Sequence, residues 1–142
     1  MSPRCFRVFA YYPYNEGVTH VFGFYSSRSA GIKNTYNYPN ATCNNWAQQT
    51  NKVPIGKTLE LSGWIKTIDS EDVVMVIQCL DKYGNYTGFG TTEATNEITG
   101  TNDWNVYTAT VFVPMDTKRI VVRLSLCGTG EAWFDDVKLI VK

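Results

Sequence analysis

No stretch of a dozen residues in this 142-residue chain spaces its apolar side chains at helical intervals. Short runs of β-branched and aromatic residues recur instead, separated by turn-forming clusters. The clearest runs are KTLELSGWIKTI, DVVMVIQCLD, NVYTATVFVP, KRIVVRLSLCG and EAWFDDVKLIV; weaker ones are HVFGFYSS, SAGIKNTYN and NNWAQQTN. Between them stand VPIGK, DKYGNYTG, TGTND, PMDTK and CGTGE, rich in Gly, Asn, Asp and Pro. About eight strands so punctuated predict an all-β fold, a two-sheet antiparallel β-sandwich of jelly-roll type with almost no helix. Neither an internal repeat nor a linker divides the chain, so residues 1–142 read as one domain. Residues 1–18 are its least readable segment.

Alternation assigns faces, because successive strand side chains point to opposite sides of a sheet. In LELSGWIK, Leu59, Leu61 and Ile65 form the core row, which leaves Glu60, Ser62, Trp64 and Lys66 outside. In RIVVRLSLCG, Ile120, Val122, Leu124 and Leu126 point in, and Arg123 and Ser125 point out. Both rows of VVMVIQCL are apolar except for Gln78, which marks a central strand. In NNWAQQT, Trp46 and Gln48 share one face.

Thirteen basic and thirteen acidic residues cancel. Nucleic-acid or anionic-membrane binding would call for a basic excess or stripe, so neither partner is expected. No apolar run reaches the roughly 18–20 residues of a spanning helix, and the N-terminus lacks the apolar centre of a signal peptide. Aromatic residues are abundant at 14%, and charged residues are few at 18%. The surface that follows is polar, uncharged and aromatic, suited to stacking and hydrogen bonding with neutral ligands such as sugars.

Four cysteines, Cys5, Cys43, Cys79 and Cys127, stand far apart with one histidine, His20, which is not zinc-ligand spacing. Cys79 and Cys127 both fall in strands and read either as buried thiols or as a cross-strand disulfide, with buried thiols preferred. Glu60, Glu93, Glu97 and Glu131 are the carboxylates available for glycoside hydrolysis, but no spacing aligns two of them on one strand face. No nucleophile signature surrounds His20. The chain is therefore expected not to be an enzyme.

The last strand poses a sharper problem: Asp135 and Asp136 are adjacent, so strict alternation sends one of them away from the solvated face of Lys138. A carboxylate directed at the core or a sheet margin needs a cation, backbone donors or a metal.

Taken in order, several motifs resemble one family. They are Trp-x-Gln (Trp46, Gln48), Pro-x-Gly-Lys from Pro54, Leu-Ser-Gly-Trp-x-Lys from Leu61, Asp103-Trp104, Leu-x-Gly-x-Gly from Leu126 and Trp-Phe-Asp-Asp-Val from Trp133. Over roughly residues 20 to 142 the chain resembles carbohydrate-binding modules of the galactose-binding-like jelly-roll type, as appended to polysaccharide-degrading enzymes. The family's Asn/Gly-Phe-Glu-type N-terminal start is not evident. The resemblance implies a structural calcium ion held by Asp136, with Asp135 in turn contacts or as a second ligand, chemistry that suits calcium's oxygen-rich coordination. It also gives Trp104 a packing role.

The expected function is non-catalytic binding of a neutral or weakly charged polysaccharide or oligosaccharide. Trp64 or Trp46 would stack on the sugar, Gln48, Lys66, Gln78 and Arg123 would read its hydroxyls, and Tyr83 and Tyr86 would rim the site. Such a module belongs to a larger extracellular or cell-surface protein and acts as a monomer. A β-sandwich that binds a protein partner, as in an adhesin or virion, is the alternative.

Overall fold

The computed structural model describes residues 9–12, 21–24, 29–35 and 43–142; Cys5 and His20 lie outside them. Among these residues nine strands follow one another: β1 (Phe9–Tyr12), β2 (Val21–Phe24), β3 (Ala30–Asn34), β4 (Cys43–Thr50), β5 (Thr58–Leu80), β6 (Tyr86–Thr91), β7 (Ile98–Phe112), β8 (Arg119–Cys127) and β9 (Gly130–Val141). Among the described residues the helical content is one 3-10 turn, Thr92–Ala94. All pairings are antiparallel. The jelly-roll β-sandwich is thus the fold.

KTLELSGWIKTI and DVVMVIQCLD, read as two strands, are one continuous strand of 23 residues. The first half of β5 lies between β7 and β9, and β9 continues to β3 and β2. The second half lies between β6 and β8, and β8 continues to β4. One strand therefore belongs to two layers, called here sheet A (β2 and β3, β9, β5, β7) and sheet B (β6, β5, β8, β4).

Polar groups fix the bend between the halves. Asp69 takes a left-handed φ of 47°. The buried Thr67 and Ser70 hydroxyls donate to the Gly100 carbonyl at 3.0 and 3.1 Å. The TGTND segment, read as a turn, accordingly runs inside β7 with irregular register. On the other side, Glu71 and Thr129 exchange hydrogen bonds, Glu71 N donating to the Thr129 carbonyl and Thr129 N to Glu71 Oε2. Gly130, at φ 121°, lies so near that an added Cβ would collide with the Asp69 carbonyl and Ser70 Cα.

The core fills the space between the layers. Sheet A supplies Leu59, Leu61, Ile65, Phe134, Val137 and Leu139; sheet B supplies Met75, Ile77, Ile120, Val122, Leu124 and Leu126. The rows read from alternation are the rows observed. β6 and β1 are additions: Tyr86, read as a turn residue, opens β6, and β1 falls in the least readable segment.

The cysteines divide differently from either expected arrangement. Cys127 sits directly opposite Cys43 across β4 and β8, and the two form a disulfide. Cys79 sits opposite Ile120 and points into the core as a free thiol. Burial pushes that thiol up to about 11. A cross-link joining residues 84 apart stabilises the fold by roughly 4.5 kcal/mol in the chain-entropy picture. Thiol alkylation of the native protein followed by peptide mapping should leave Cys79 unmodified and recover Cys43 and Cys127 as one linked species. Labelling of Cys79 without denaturant would contradict its burial.

Candidate functional site

Registers decide which side chains meet. On sheet B, the row of β5 that faces away from the inter-sheet core comprises Val74, Val76, Gln78 and Leu80. They lie opposite Ser125, Arg123, Val121 and Arg119 of β8. Arg123 lies opposite Ala47 of β4, flanked on the same face by Asn45 and Gln49. On the far side Gln78 faces Phe89 of β6, and Leu80 faces Tyr86 across a bulge. The middle of this face is recessed, with Val76, Val121 and Ser125 buried.

A hydrogen-bonded row crosses all four strands of sheet B. Arg123 Nη1 donates to Asn45 Oδ1 at 2.9 Å, and Arg123 Nε donates to Gln78 Oε1 at 3.0 Å. Gln78 Nε2 then donates to the Tyr86 hydroxyl at 3.3 Å. Gln78 is only 9% exposed, and a buried amide with both ends satisfied is held in one orientation. At the β6 end the row meets two exposed rings. Tyr86 is 66% and Phe89 56% exposed, packed edge to face with centroids 6.4 Å apart. Asn45, Gln49, Arg119 and Phe89 were not among the expected site residues, although Arg119 falls in the same alternation row as Arg123.

Trp46 and Gln48, expected beside Gln78 and Arg123, take the other face of β4. They lie opposite Leu124 and Val122, and Trp46 packs against the core with its Nε1 on the Gly31 carbonyl at 3.2 Å. Alternation pairs Trp46 with Gln48, but only the β4–β8 register says which way both point. Trp64 and Lys66 do face outward, as expected, yet from sheet A. Trp64 is 42% exposed and lies opposite Val106 and Asp135, and Lys66 lies opposite Trp133. Trp104, for which packing was implied, is itself 37% exposed. Tyr83 occupies the turn after β5, where Asp81 Oδ1 accepts from the Tyr83 and Asn85 amides. Those amides, Asn85 foremost, lower the Asp81 pKa.

The paired aspartates are resolved by backbone geometry. Between Asp135 and Lys138 the β5–β9 register shifts, and Asp136 takes a left-handed φ of 48°. This bulge puts Phe134 and Val137 in the core and turns both carboxylates outward. Asp135 Oδ1 accepts the Asp136 amide at 2.8 Å, and Asp136 Oδ2 meets Lys138 Nζ at 3.2 Å. Among the described residues no three His, Cys, Asp or Glu side chains converge as a metal cluster.

Two other grooves exist. One of about 500 Å³ at the sandwich edge is lined by Lys33, Asn45, Trp46, Glu131 and Trp133. In it Lys33 pairs with Glu131 at 2.9 Å and the Trp46 indole donates to the Gly31 carbonyl. The other, between β6 and β7, holds Phe89, several threonines and Glu93. Desolvation, then Asp72 and Glu97, raise the Glu93 pKa. Neither groove contains two carboxylates.

No family model and no curated protein matches the chain. Solved structures do. The xylan-binding CBM22-1 domain of Paenibacillus barcinonensis Xyn10C superposes with a TM-score of 0.53 at 14% identity, covering 89% of this chain and 83% of that one. The CBM22-1–GH10 modules of Clostridium thermocellum xylanase 10B, complexed with xylohexaose, give 0.57 at 13% identity over 91% of this chain and 25% of theirs. The enzymatically active domain of bacteriophage CBA120 tailspike protein 4 gives 0.55 at 18% identity over 88% and 18%. The chain thus spans about a fifth and a quarter of the two longer neighbours. The shared fold is that of jelly-roll carbohydrate-binding modules.

Removing the Arg123 side chain would strand Gln78 Oε1 and Asn45 Oδ1. We expect Arg123→Ala to lower stability by about 1–3 kcal/mol in a denaturant titration. No change would mean that the row is not held as described.

Proposed function

We propose that the chain is a non-catalytic carbohydrate-binding module that takes a polysaccharide or oligosaccharide across the outer face of sheet B. The observation that carries this is the Asn45–Arg123–Gln78–Tyr86 row, fixed before any ligand arrives and ending on the exposed rings of Tyr86 and Phe89. Sugars present C–H patches on their ring faces and hydroxyls at their edges. The aromatic pair offers the first a stacking surface, and the amide and guanidinium groups offer the second donors and acceptors. Polar groups already oriented lose little entropy on binding. The jelly-roll neighbours, among them a xylan-binding domain and xylanase modules complexed with xylohexaose, support the reading. A disulfide between β4 and β8 agrees with an extracellular or cell-surface setting, where the module would act as a monomeric part of a larger protein.

A second reading belongs to sheet A, where Trp64, Val106 and Trp104 are all exposed and Trp64 lies opposite Val106. That face would receive a sugar on Trp64 or an apolar protein surface. Affinity electrophoresis or calorimetry on a panel of neutral and acidic polysaccharides decides. Phe89→Ala should weaken binding about tenfold or more, equal to about 1.4 kcal/mol, while Trp64→Ala leaves it unchanged. The reverse pattern moves the site to sheet A.

A structural calcium at Asp136, with Asp135, remains part of the proposal. Two outward carboxylates on one bulge supply hard oxygen donors, and the ion would tie β9 to neighbouring backbone. The Lys138 contact would open to admit it. If so, chelation should lower the melting temperature, and Asp136→Asn should abolish that response. A melting temperature indifferent to chelator assigns both carboxylates to the bulge alone.

A further inference from the structure

We infer that the ligand of sheet B is an anionic polysaccharide, one whose sugars carry carboxylate or ester sulfate groups, and that Arg119 is its charge-reading residue. The inference rests on the proposed sugar-binding role and specifies its substrate class. It replaces the neutral or weakly charged ligand suggested by composition.

Three observations converge. First, Arg119 Nε is buried and has no hydrogen-bond partner, and among the described residues the Arg119 side chain forms no ion pair. Native proteins rarely leave a buried donor of a charged group unpaired, so this N–H is open to an acceptor from outside the fold. Second, Arg119 and Arg123 stand on the same side of β8 and line one shallow groove of about 330 Å³ with Ala47, Gln48, Gln49, Leu80 and Val121. Arg123 commits two N–H groups to Gln78 and Asn45, which leaves three of the five a guanidinium carries. Third, this groove contains no carboxylate. Asp72 opens the second half of β5, opposite Cys127, where Glu93 interacts with it. Asp81 is occupied by its own turn. The groove itself therefore presents two guanidinium groups and no carboxylate.

Guanidinium groups bind carboxylate and sulfate oxygens through paired N–H donors. Four residues of extended strand separate the Cα atoms of the two arginines by about 13 Å, a span along which a polymer can present more than one charged sugar. Two charged residues along a polymer would engage them together, so a polymer should bind far better than its monomer.

The test compares retention of the intact chain on polygalacturonate and alginate, on carboxyl-reduced forms of both, on κ-carrageenan as the sulfated arm, and on neutral galactan, xylan and β-glucan. Binding to at least one acidic polymer should exceed binding to every neutral one tenfold or more and should weaken with added salt. Loss on carboxyl reduction identifies uronate as the anion; retention on carrageenan alone identifies sulfate. Arg119→Gln should lower acidic-polymer affinity at least tenfold. If that variant fails to fold, the carboxyl-reduction and sulfated arms on the unaltered chain decide between an anionic and a neutral ligand. Equal binding to neutral and acidic polymers, or an unchanged affinity in folded Arg119→Gln, overturns the anionic ligand and leaves the sugar-binding role standing. Binding to no polymer in either set overturns both.

Discussion

The whole molecule hangs on one strand serving two sheets. β5 contributes Leu59, Leu61 and Ile65 to one wall of the core and Met75, Ile77 and Cys79 to the other. Its bend must therefore be held firmly, or the walls would lose their spacing. The bend is held by the buried Thr67 and Ser70 hydroxyls on the Gly100 carbonyl and, at the surface, by Glu71 on the Thr129 amide. Buried donors gain only when paired, so this corner is specific about which segments may occupy it. Gly130 is required there because backbone approaches backbone.

That arrangement also determines where a ligand can bind. The second half of β5 has apolar residues on both sides, so its core-facing row fixes sheet B against sheet A while the opposite row floors an open face. Gln78 is the one polar residue in that floor, and it is satisfied by Arg123 from one neighbour strand and Tyr86 from the other. A lone amide among valines would destabilise the sheet. Linked in a row, it instead ties three strands together and holds the donors in place.

Much of this was readable from residues alone. The inward rows of β5 and β8, the central position of VVMVIQCL and the outward direction of Trp64 all follow from alternation, because burial on one face is a strong local signal. What alternation lacks is a statement of which sheet an outward residue belongs to. Trp64 and Gln78 are outward residues of the same strand on opposite sides of its bend, so a site built from both combined two surfaces. The bend itself was illegible because IDSEDV has the composition of a turn, whereas its hydrogen bonds reach about thirty residues away in sequence. Trp46 illustrates a related gap: its partner on β4 was right, and its direction came only from pairing with β8, where Cys43 and Cys127 lock the register.

The adjacent aspartates show how a local rule fails for a physical reason. Period-two alternation assumes one residue per rung, and under that assumption one carboxylate must turn toward the core. The chain instead inserts an extra residue at Asp136, in a left-handed conformation that aspartate tolerates better than most residues. Phe134 and Val137 then both reach the core although they are three positions apart. Asp135 supports the irregularity by accepting the Asp136 amide, a hydrogen bond that a regular ladder would have provided from the neighbouring strand. The pair is thus explained as the side-chain half of a bulge before any ion is considered. A calcium ion, if bound, would exploit carboxylates that the fold already had cause to place at the surface.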